Sequence, residues 1–530
     1  MASMSSIGIA LSGLRAAQSG LSVTGHNVSN STVTGYTRQQ AIQQDFSYRN
    51  LGSSPVGSLK LQVGLGTNVS QIRQLRNKFY DVTYREENSS LGYYSRKYTA
   101  GEEINTIIGE LQSEYKAQDV IVDLWNSISE MSKNPAAIET RSGFIQSCVS
   151  FLNKMQDINK SLFEYQMNLN NQVKREVNAI NDIVSKIGNL NQKIQEIEAD
   201  GSRANDLRDE RNNLLDELSG YIDIEVKEVA VGNGNSSRID ILIQGNELLV
   251  GNIQQKIGLK YCNGDYPFVE PVFSSSQEIL PAEDTSAKLF PNLASEDLGT
   301  NSTSTKGSLK GLLVARGEVI GNYVMDDAEV GNFSIPNIQK KIDTLTHEIV
   351  TLLNGASTSG VGLDGNNGVP IFVRKSGVAQ NTQEDPKNYD TLFTLDNIMI
   401  NQDILEAEGY NRLGFSQAGD KDDNRILLEL SKKWKEPIDS LEGASIDGYY
   451  KKIITDFAVK VQEDREKLDS KTGSINLADN KRTSISGVSL DEELTNMLKF
   501  QHAYNSAAKI INVIDGMMDK VINGTGRVGI

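Results

Sequence analysis

The sequence predicts a mainly α-helical, elongated, multi-domain chain with β domains inserted into it, its N- and C-terminal helices paired as a coiled coil. Three observations lead there. Heptad stripes lie at both ends, the hydrophobic period changes to two in interior stretches, and the apolar content is lean. Apolar residues make up 38% of the chain and aromatics 6%, which suits long helices with narrow seams better than a compact enzyme. At 530 residues the chain exceeds a single core and suggests about 3 to 5 domains.

At the N-terminus Ile7, Ala10, Leu14, Ala17, Leu21, Thr24 and Val28 recur at alternating spacings of 3 and 4, the a/d seam of a coiled coil, with Ser5 or Ser6 placed to cap the helix. Gly8, Gly13, Gly20 and Gly25 each weaken that helix by about 1 kcal/mol relative to Ala, so it needs a partner. The stretch that follows is small and neutral. Asn27 and Asn30 tolerate left-handed backbone and bond to the chain, and Thr34-Gly35 signals a turn before Tyr36. Residues 36–75, rich in Gly, Ser, Gln and β-formers, read as an extended segment with turns.

From about 76 to 220 the pattern is helical. Its clearest seam is Leu169, Val173, Glu176, Ile180, Ile183, Ile187, Leu190, Ile194 and Ile197, broken by Glu176, and "DLRDERNNLLDELSGY" follows as a second helix with Gly220 as its stop. The period then becomes two: "IDIEVKEV" and "RIDILIQG" flank "GNGNSS" as a β-hairpin, and weak strands and loops continue to about 305, ending in the polar "SEDLGTNSTSTKGS". Helices are predicted at about 308–323 and 334–354, strands and loops at 360–424, then helices at about 424–435, 445–475 and 488–522. The last carries the second terminal stripe, Leu490, Leu494, Met497, Gln501, Tyr504, Ala508 and Ile511. The expected domains are 1–60 with 476–530 as the terminal coiled coil, 61–221 with 306–359 and 424–475 as a helical rod, and 222–305 and 360–423 as outer β-rich parts.

The formal net charge of −16 opposes association with nucleic acid or an anionic membrane surface. It is unevenly spread. Residues 1–44 hold no Asp or Glu, and Arg15 and Arg38 are their only Lys or Arg. An acid-free, Ser-rich start is also how a mitochondrial transit peptide reads, whereas a secretory signal is not recognisable and no run of about 18 apolar residues predicts a membrane helix. Cys148 and Cys262 lie far apart and are expected to be free thiols.

Motifs with chemical content fail one by one. "HEIVT" at His347-Glu348 has Thr351 where a zinc protease needs its second His, and with His26 and His502 the chain has three in all. "GTGRVG" (524–529) has no strand before it and no room for a helix after it. Ser506-Ala-Ala-Lys509 and Lys471-Thr-Gly473 stand in the wrong order for an acylating serine enzyme, and "LDGNNG" around Asp364 lacks the alternating carboxylates of a calcium loop. No catalytic residue, cofactor or metal is expected.

Both ends carry a more specific message. "LSGLRAAQSGLSVTGHNVSNSTVTGYTRQ" (11–39) and "SGVSLDEELTNMLKFQHAYNSAAKIINVIDGMMDKVIN" (486–523) resemble the terminal signatures of the axial proteins of the bacterial flagellum. "NDLRDERNNLLDELSGYIDIEV" (205–226), "KGSLKGLLVARGEVI" (306–320) and "DLWNSISEMSKNPAAIETR" (123–141) are similar to one family among them, the hook-associated FlgK family. Residues 265–305 and 370–420 match least. The resemblance implies a non-enzymatic structural protein at the hook-filament junction, where it forms a ring and allows flagellin to assemble. It also implies an extracellular place in the flagellum, reached by type III export with an uncleaved N-terminal signal, which disposes of the transit peptide.

Implied partners are copies of the same chain, the hook protein, the second junction protein, and an export chaperone on residues 490–522. On this reading Ile7, Leu14, Leu21 and Val28 with Leu490, Leu494, Met497, Tyr504 and Ile511 pack around the axis, and Asn27, Asn30, Gly35 and Tyr36 form a connector. Alternatives are another axial protein, either the hook protein or the second junction protein, or an adhesin-like role for the outer β domains.

Overall fold

The computed structural model describes all residues except 1, 47, 54–59, 110–115, 232–235, 263–265, 277, 292, 294–305, 380–381, 418 and 525–530, and side chains are described outside 2–5, 48–53 and 60–63. The turn of the expected 222–245 hairpin, residues 295–305 of the polar stretch and the "GTGRVG" tail beyond Gly524 therefore lie outside the described residues.

In chain order the elements are α1 (Ala2–Ser29), β1 (Gln39–Asp45), β2 (Tyr48–Ser53), β3 (Lys60–Gly64), β4 (Thr67–Gln74), α2 (Lys78–Gly109), α3 (Ala117–Lys133), α4 (Ile138–Glu198) and α5 (Asn205–Tyr221). There follow β5 (Glu225–Val231), β6 (Ser236–Ile243), β7 (Asn246–Val250), β8 (Ile253–Gln254), β9 (Ile257–Tyr261), β10 (Val269–Phe273), α6 (Ser308–Arg316), α7 (Asp327–Val330) and α8 (Ser334–Thr358). The chain closes with β11 (Phe372–Arg374), β12 (Ile398–Ile400), α9 (Gln402–Leu405), α10 (Arg425–Lys433), α11 (Ile446–Ser486) and α12 (Leu490–Asp519), which runs into a π turn at Lys520–Gly524. The mainly helical reading with small inserted sheets holds.

Several boundaries moved for physical reasons. α6 stops at Arg316 instead of running to 323, because Gly317 takes φ +76 and its N–H closes on Leu313 O. α1 begins at Ala2, so Ser5 and Ser6 lie inside it and do not cap it. Neither Asn27 nor Asn30 is left-handed; that conformation falls to Gly35 at φ +78. The α4 seam is buried from Leu169 to Ile194, while Ile197 is exposed. Glu176, the break in that seam, is buried where the Arg96 guanidinium at 3.0 Å and the Ser308 hydroxyl at 2.7 Å meet it. Those two donors offset the cost of burying the carboxylate.

The chain forms two compact units. The first comprises residues 1–88, 182–255 and 472–530. Its sheets are β1 with β4, β2 with β3, and a four-stranded antiparallel sheet in the order β5-β6-β7-β8, in which Glu225 to Val231 pair with Leu242 to Ser236. α1 packs along α12 and against β1 and β4. The second unit comprises residues 89–181 and 256–471. α3 and α8 pack on α10 and α6 packs on α8, around a core that includes Leu124, Phe144, Phe151, Leu313, Ile342, Phe415 and Trp434.

One device recurs in both units. A helix Asn presents its amide to one strand residue, donating to that residue's C=O and accepting from its N–H. Asn27 does so with Gln39 and Asn191 with Ile239 in the first unit, and Asn181 with Ile257 and Asn354 with Phe372 in the second, all at 2.8 to 3.1 Å. The amide thus substitutes for a neighbouring strand and satisfies backbone groups that the small sheets leave unpaired. Asn354 also accepts from Ile371 N. Asn354→Leu is therefore expected to destabilise the second unit by about 2 to 3 kcal/mol, the penalty of stranding buried backbone groups. Trp125 and Trp434 both belong to that unit, so their fluorescence in a urea titration measures it.

Candidate functional site

The terminal helices and the connector meet in the first unit, and the meeting point is polar. Asn27, 1% exposed near the end of α1, makes all four of its side-chain hydrogen bonds. Its Nδ2 donates to Gln39 O at 2.9 Å and to Glu493 Oε2 at 3.1 Å, and its Oδ1 accepts from the Tyr36 hydroxyl at 2.8 Å and Gln39 N at 3.0 Å. Glu493, 3% exposed in the first turn of α12, also accepts from Arg38 Nε at 2.7 Å, and Arg38 reaches Glu492 at 2.7 Å. The backbone follows suit: Arg38 N donates to Ser486 O at 2.8 Å.

α5 supports this point from its polar side. Thr37 N donates to Asp209 Oδ2 at 3.1 Å, Gln39 Nε2 to Asp206 at 3.1 Å, Asn205 Nδ2 to Gln39 Oε1 at 3.2 Å, and Asn213 Nδ2 to Thr34 O at 3.4 Å. Further along, Asp216 receives Arg85 and Arg482, while Arg208 pairs with Glu198 at 2.7 Å. In the run "DLRDERNNLLDEL" Asp206, Arg208, Asp209, Arg211 and Asp216 each meet a polar partner, while Glu210 and Glu217 are exposed. Lys78 and Glu228 form a further ion pair on this unit.

Burial pushes the Asp209 carboxyl up to about 6, against the opposing pull of its bond from Thr37 and of Arg76 at 3.8 Å. Burial, with Asp206, Asp209 and Glu493 nearby, likewise raises Tyr36, keeping its hydroxyl a donor to Asn27. A carboxyl raised on folding binds more protons in the native state, so its contribution to stability is largest below its unfolded value near 3.9 and is lost as pH rises through about 6. Asp209→Asn keeps an acceptor for Thr37 and removes the charge. The variant should gain on the wild type between pH 4 and pH 7, as read from the urea midpoints of far-UV circular dichroism.

Between the connector and the end of α11 lies a polar cleft of about 640 Å³, lined among others by Gly35, Tyr36, Arg38, Arg76, Arg482 and Glu492. Each of its guanidinium groups already holds a carboxylate: Arg38 with Glu492 and Glu493, Arg76 with Asp81, Arg482 with Asp216 and Asp479. Its charges are compensated within the chain, which suits a structural joint. Among the described residues no group of three His, Cys, Asp or Glu is placed to hold a metal ion, and no helix is long and apolar enough to cross a membrane. Cys148 and Cys262 are free, and burial raises both thiols, Cys262 to about 11.

The predicted residues fall into distinct places. On α1 the buried positions are Ala10, Ala16, Ala17, Gly20, Val23, Thr24 and Asn27, with Ile7, Leu14, Leu21 and Val28 half-buried beside them. On α12 Glu493 and Ala507 are buried and Met497, Phe500, Tyr504, Ile511, Ile514 and Met518 half-buried, whereas Leu490 and Leu494 are exposed. Asn30 Nδ2 donates to His26 O at 3.0 Å, satisfying a carbonyl in the last turn of α1. A Cβ on Gly35 would stand 1.9 Å from Asn213 Oδ1. Sequence reasoning missed Thr37, Arg38, Gln39, Asp206, Asp209 and Glu493. Their signal was complementary: an acid-free N-terminus set against an acid-rich α5 and an α12 that opens with three acids, Asp491 to Glu493.

Residues 102–372, just over half of the chain, match the model for the flagellar hook-associated protein FlgK helical domain. The chain belongs to the FlgK family. Residues 480–524, the end of α11 with α12, match the flagellar basal body rod FlgEFG protein C-terminal model. Similar proteins include flagellar hook-associated protein 1 of Bacillus subtilis, 29% identical over 520 residues and 97% of both chains. That of Escherichia coli is 23% identical over 574 residues, 97% of this chain and 98% of its own. A solved flagellar hook junction protein FlgK from Burkholderia pseudomallei aligns with a TM-score of 0.42 at 19% identity, over 56% of this chain and 47% of its own. As a member of the FlgK family this is a hook-associated structural protein of the bacterial flagellum and not an enzyme, associating with other axial proteins.

Proposed function

We propose that this chain assembles with copies of itself into the ring that joins hook to filament, with the hook protein on its proximal side and the second junction protein on its distal side. One observation carries the reading. α12 packs on α1 through one stripe and leaves large apolar residues exposed on the rest of its surface, including Leu494 at 50%, Leu498 at 57%, Val513 at 56% and Met517 at 58%. Apolar surface of that extent on a helix already paired within its own chain marks a contact with further chains. Ile7, Leu14, Leu21, Val28, Leu490, Leu494, Met497, Tyr504 and Ile511 supply axial packing, and Asn27, Asn30, Gly35 and Tyr36 the connector. Residues 1–60 with 476–530 make up the axial part and 490–522 dock an export chaperone. The chain leaves the cell by type III export with its N-terminus uncleaved.

Deleting the gene in its host tests this. Bare hooks under the electron microscope, with flagellin monomers in the medium, are the expected result; intact filaments would overturn the junction role. Leu494→Asp refines it. Because that side chain is half exposed, the folded chain should keep its helicity and lose less than about 0.5 kcal/mol, while complementation with the variant should leave hooks bare.

A further inference from the structure

We propose that Asn27, Arg38 and Glu493 are positioning residues that set the register of the α1–α12 pair. The buried face of α1 is mostly small: besides Val23 and Asn27 it consists of Ala10, Ala16, Ala17, Gly20 and Thr24, which offer little relief to tell one heptad from the next. The facing stripe of α12 repeats every seven residues as well, from Met497 to Tyr504 to Ile511 and from Phe500 to Ala507 to Ile514. Apolar packing alone therefore leaves a slip of one heptad open.

A polar contact removes that freedom. Glu493 occupies a stripe position where an apolar residue would pack, and there it meets both Asn27 at 3.1 Å and Arg38 at 2.7 Å. Seven residues back along α1 and seven on along α12, the Phe500 ring lies on Gly20, close enough that a Cβ there would meet it at 2.6 Å. One heptad further on come Gly13 along α1 and Ala507 along α12, and a Cβ at Gly13 would meet nothing within 4 Å, which leaves room for a cysteine there. In the slipped register Asn27 would face Phe500, and Glu493 would lose its amide and guanidinium partners together. A single buried polar contact is the means by which coiled coils choose one register among several apolar equivalents. Arg38 is itself anchored, its N–H on Ser486 O, so the lock ties α12 to the start of β1 as well as to α1. The inference rests on the helix pairing within the chain and stands or falls independently of the hook-junction reading.

Disulfide trapping in the full chain tests it, in a background with Cys148→Ala and Cys262→Ser. Gly13→Cys with Ala507→Cys reports the observed register, and Gly13→Cys with Ile514→Cys the register slipped by one heptad. Mild oxidation and mass spectrometry of unreduced peptides give the ratio of the two. The first should exceed the second by about tenfold or more in the parent chain, and Glu493→Leu should bring the ratio near one at unchanged helicity. Arg38→Met, at a less buried position, should lower the ratio in the same sense and serves if Glu493→Leu does not fold. Phe500→Ala should leave the observed register dominant. The proposal is wrong if the ratio survives both lock variants, or if Phe500→Ala alone equalises the two disulfides.

Discussion

Asn27→Ala is expected to destabilise the first unit by about 3 to 5 kcal/mol, the range for stripping partners from a buried polar group that includes a charge. The truncation strands the N–H and C=O of Gln39, the Tyr36 hydroxyl and one oxygen of the nearly buried Glu493 in a single step. Far-UV circular dichroism in urea should show an early loss of signal, while the fluorescence of Trp125 and Trp434, both in the second unit, should keep its midpoint. A fluorescence midpoint that moved together with the dichroism would mean that the Asn27 network supports the whole chain and not one unit. Faster hydrogen exchange at the Gln39 amide would localise the damage.

Gly35→Ala should lose about 2 to 4 kcal/mol from the same unit, for two separable reasons. A φ of +78 is left-handed, strained by about 1 to 2 kcal/mol for any residue with a Cβ. The added methyl would also stand 1.9 Å from Asn213 Oδ1 and 2.3 Å from its Nδ2, forcing that side chain off Thr34 O. The double variant Gly35→Ala with Asn213→Ala should recover the steric share and keep the conformational one. If the double variant were no more stable than Gly35→Ala, the backbone alone would account for the requirement for glycine.

The terminal helices were legible because a heptad stripe is local information, and α1 and α12 lie where the stripes lie. The choice of face on α12 was not. Met497, Tyr504 and Ile511 belong to the expected seam and the half-buried stripe alike, but Leu490 and Leu494 point to solvent and Glu493, Phe500 and Ala507 take their places. A helix apolar on several flanks gives the same period whichever flank its partner covers. The hairpin of β5 and β6 was readable from its alternation, whereas the Asn amides that brace β6, β9 and β11 left no periodic trace, since each is a single residue meeting one strand residue 18 to 76 positions away.

The sequence by itself determined the broad alternation of helical and strand stretches, that the two ends are matched, and which family the chain resembles. Those are properties of composition, spacing and motif, carried within a few turns of chain. Only the tertiary structure decided what each polar group serves. Asn27 meets Glu493 across 466 positions of sequence, and Thr37 meets Asp209 across 172. Hydrogen bonds act over about 3 Å of space and are blind to distance along the chain, so the partner of a buried amide or carboxylate exists only once the fold has brought the two together.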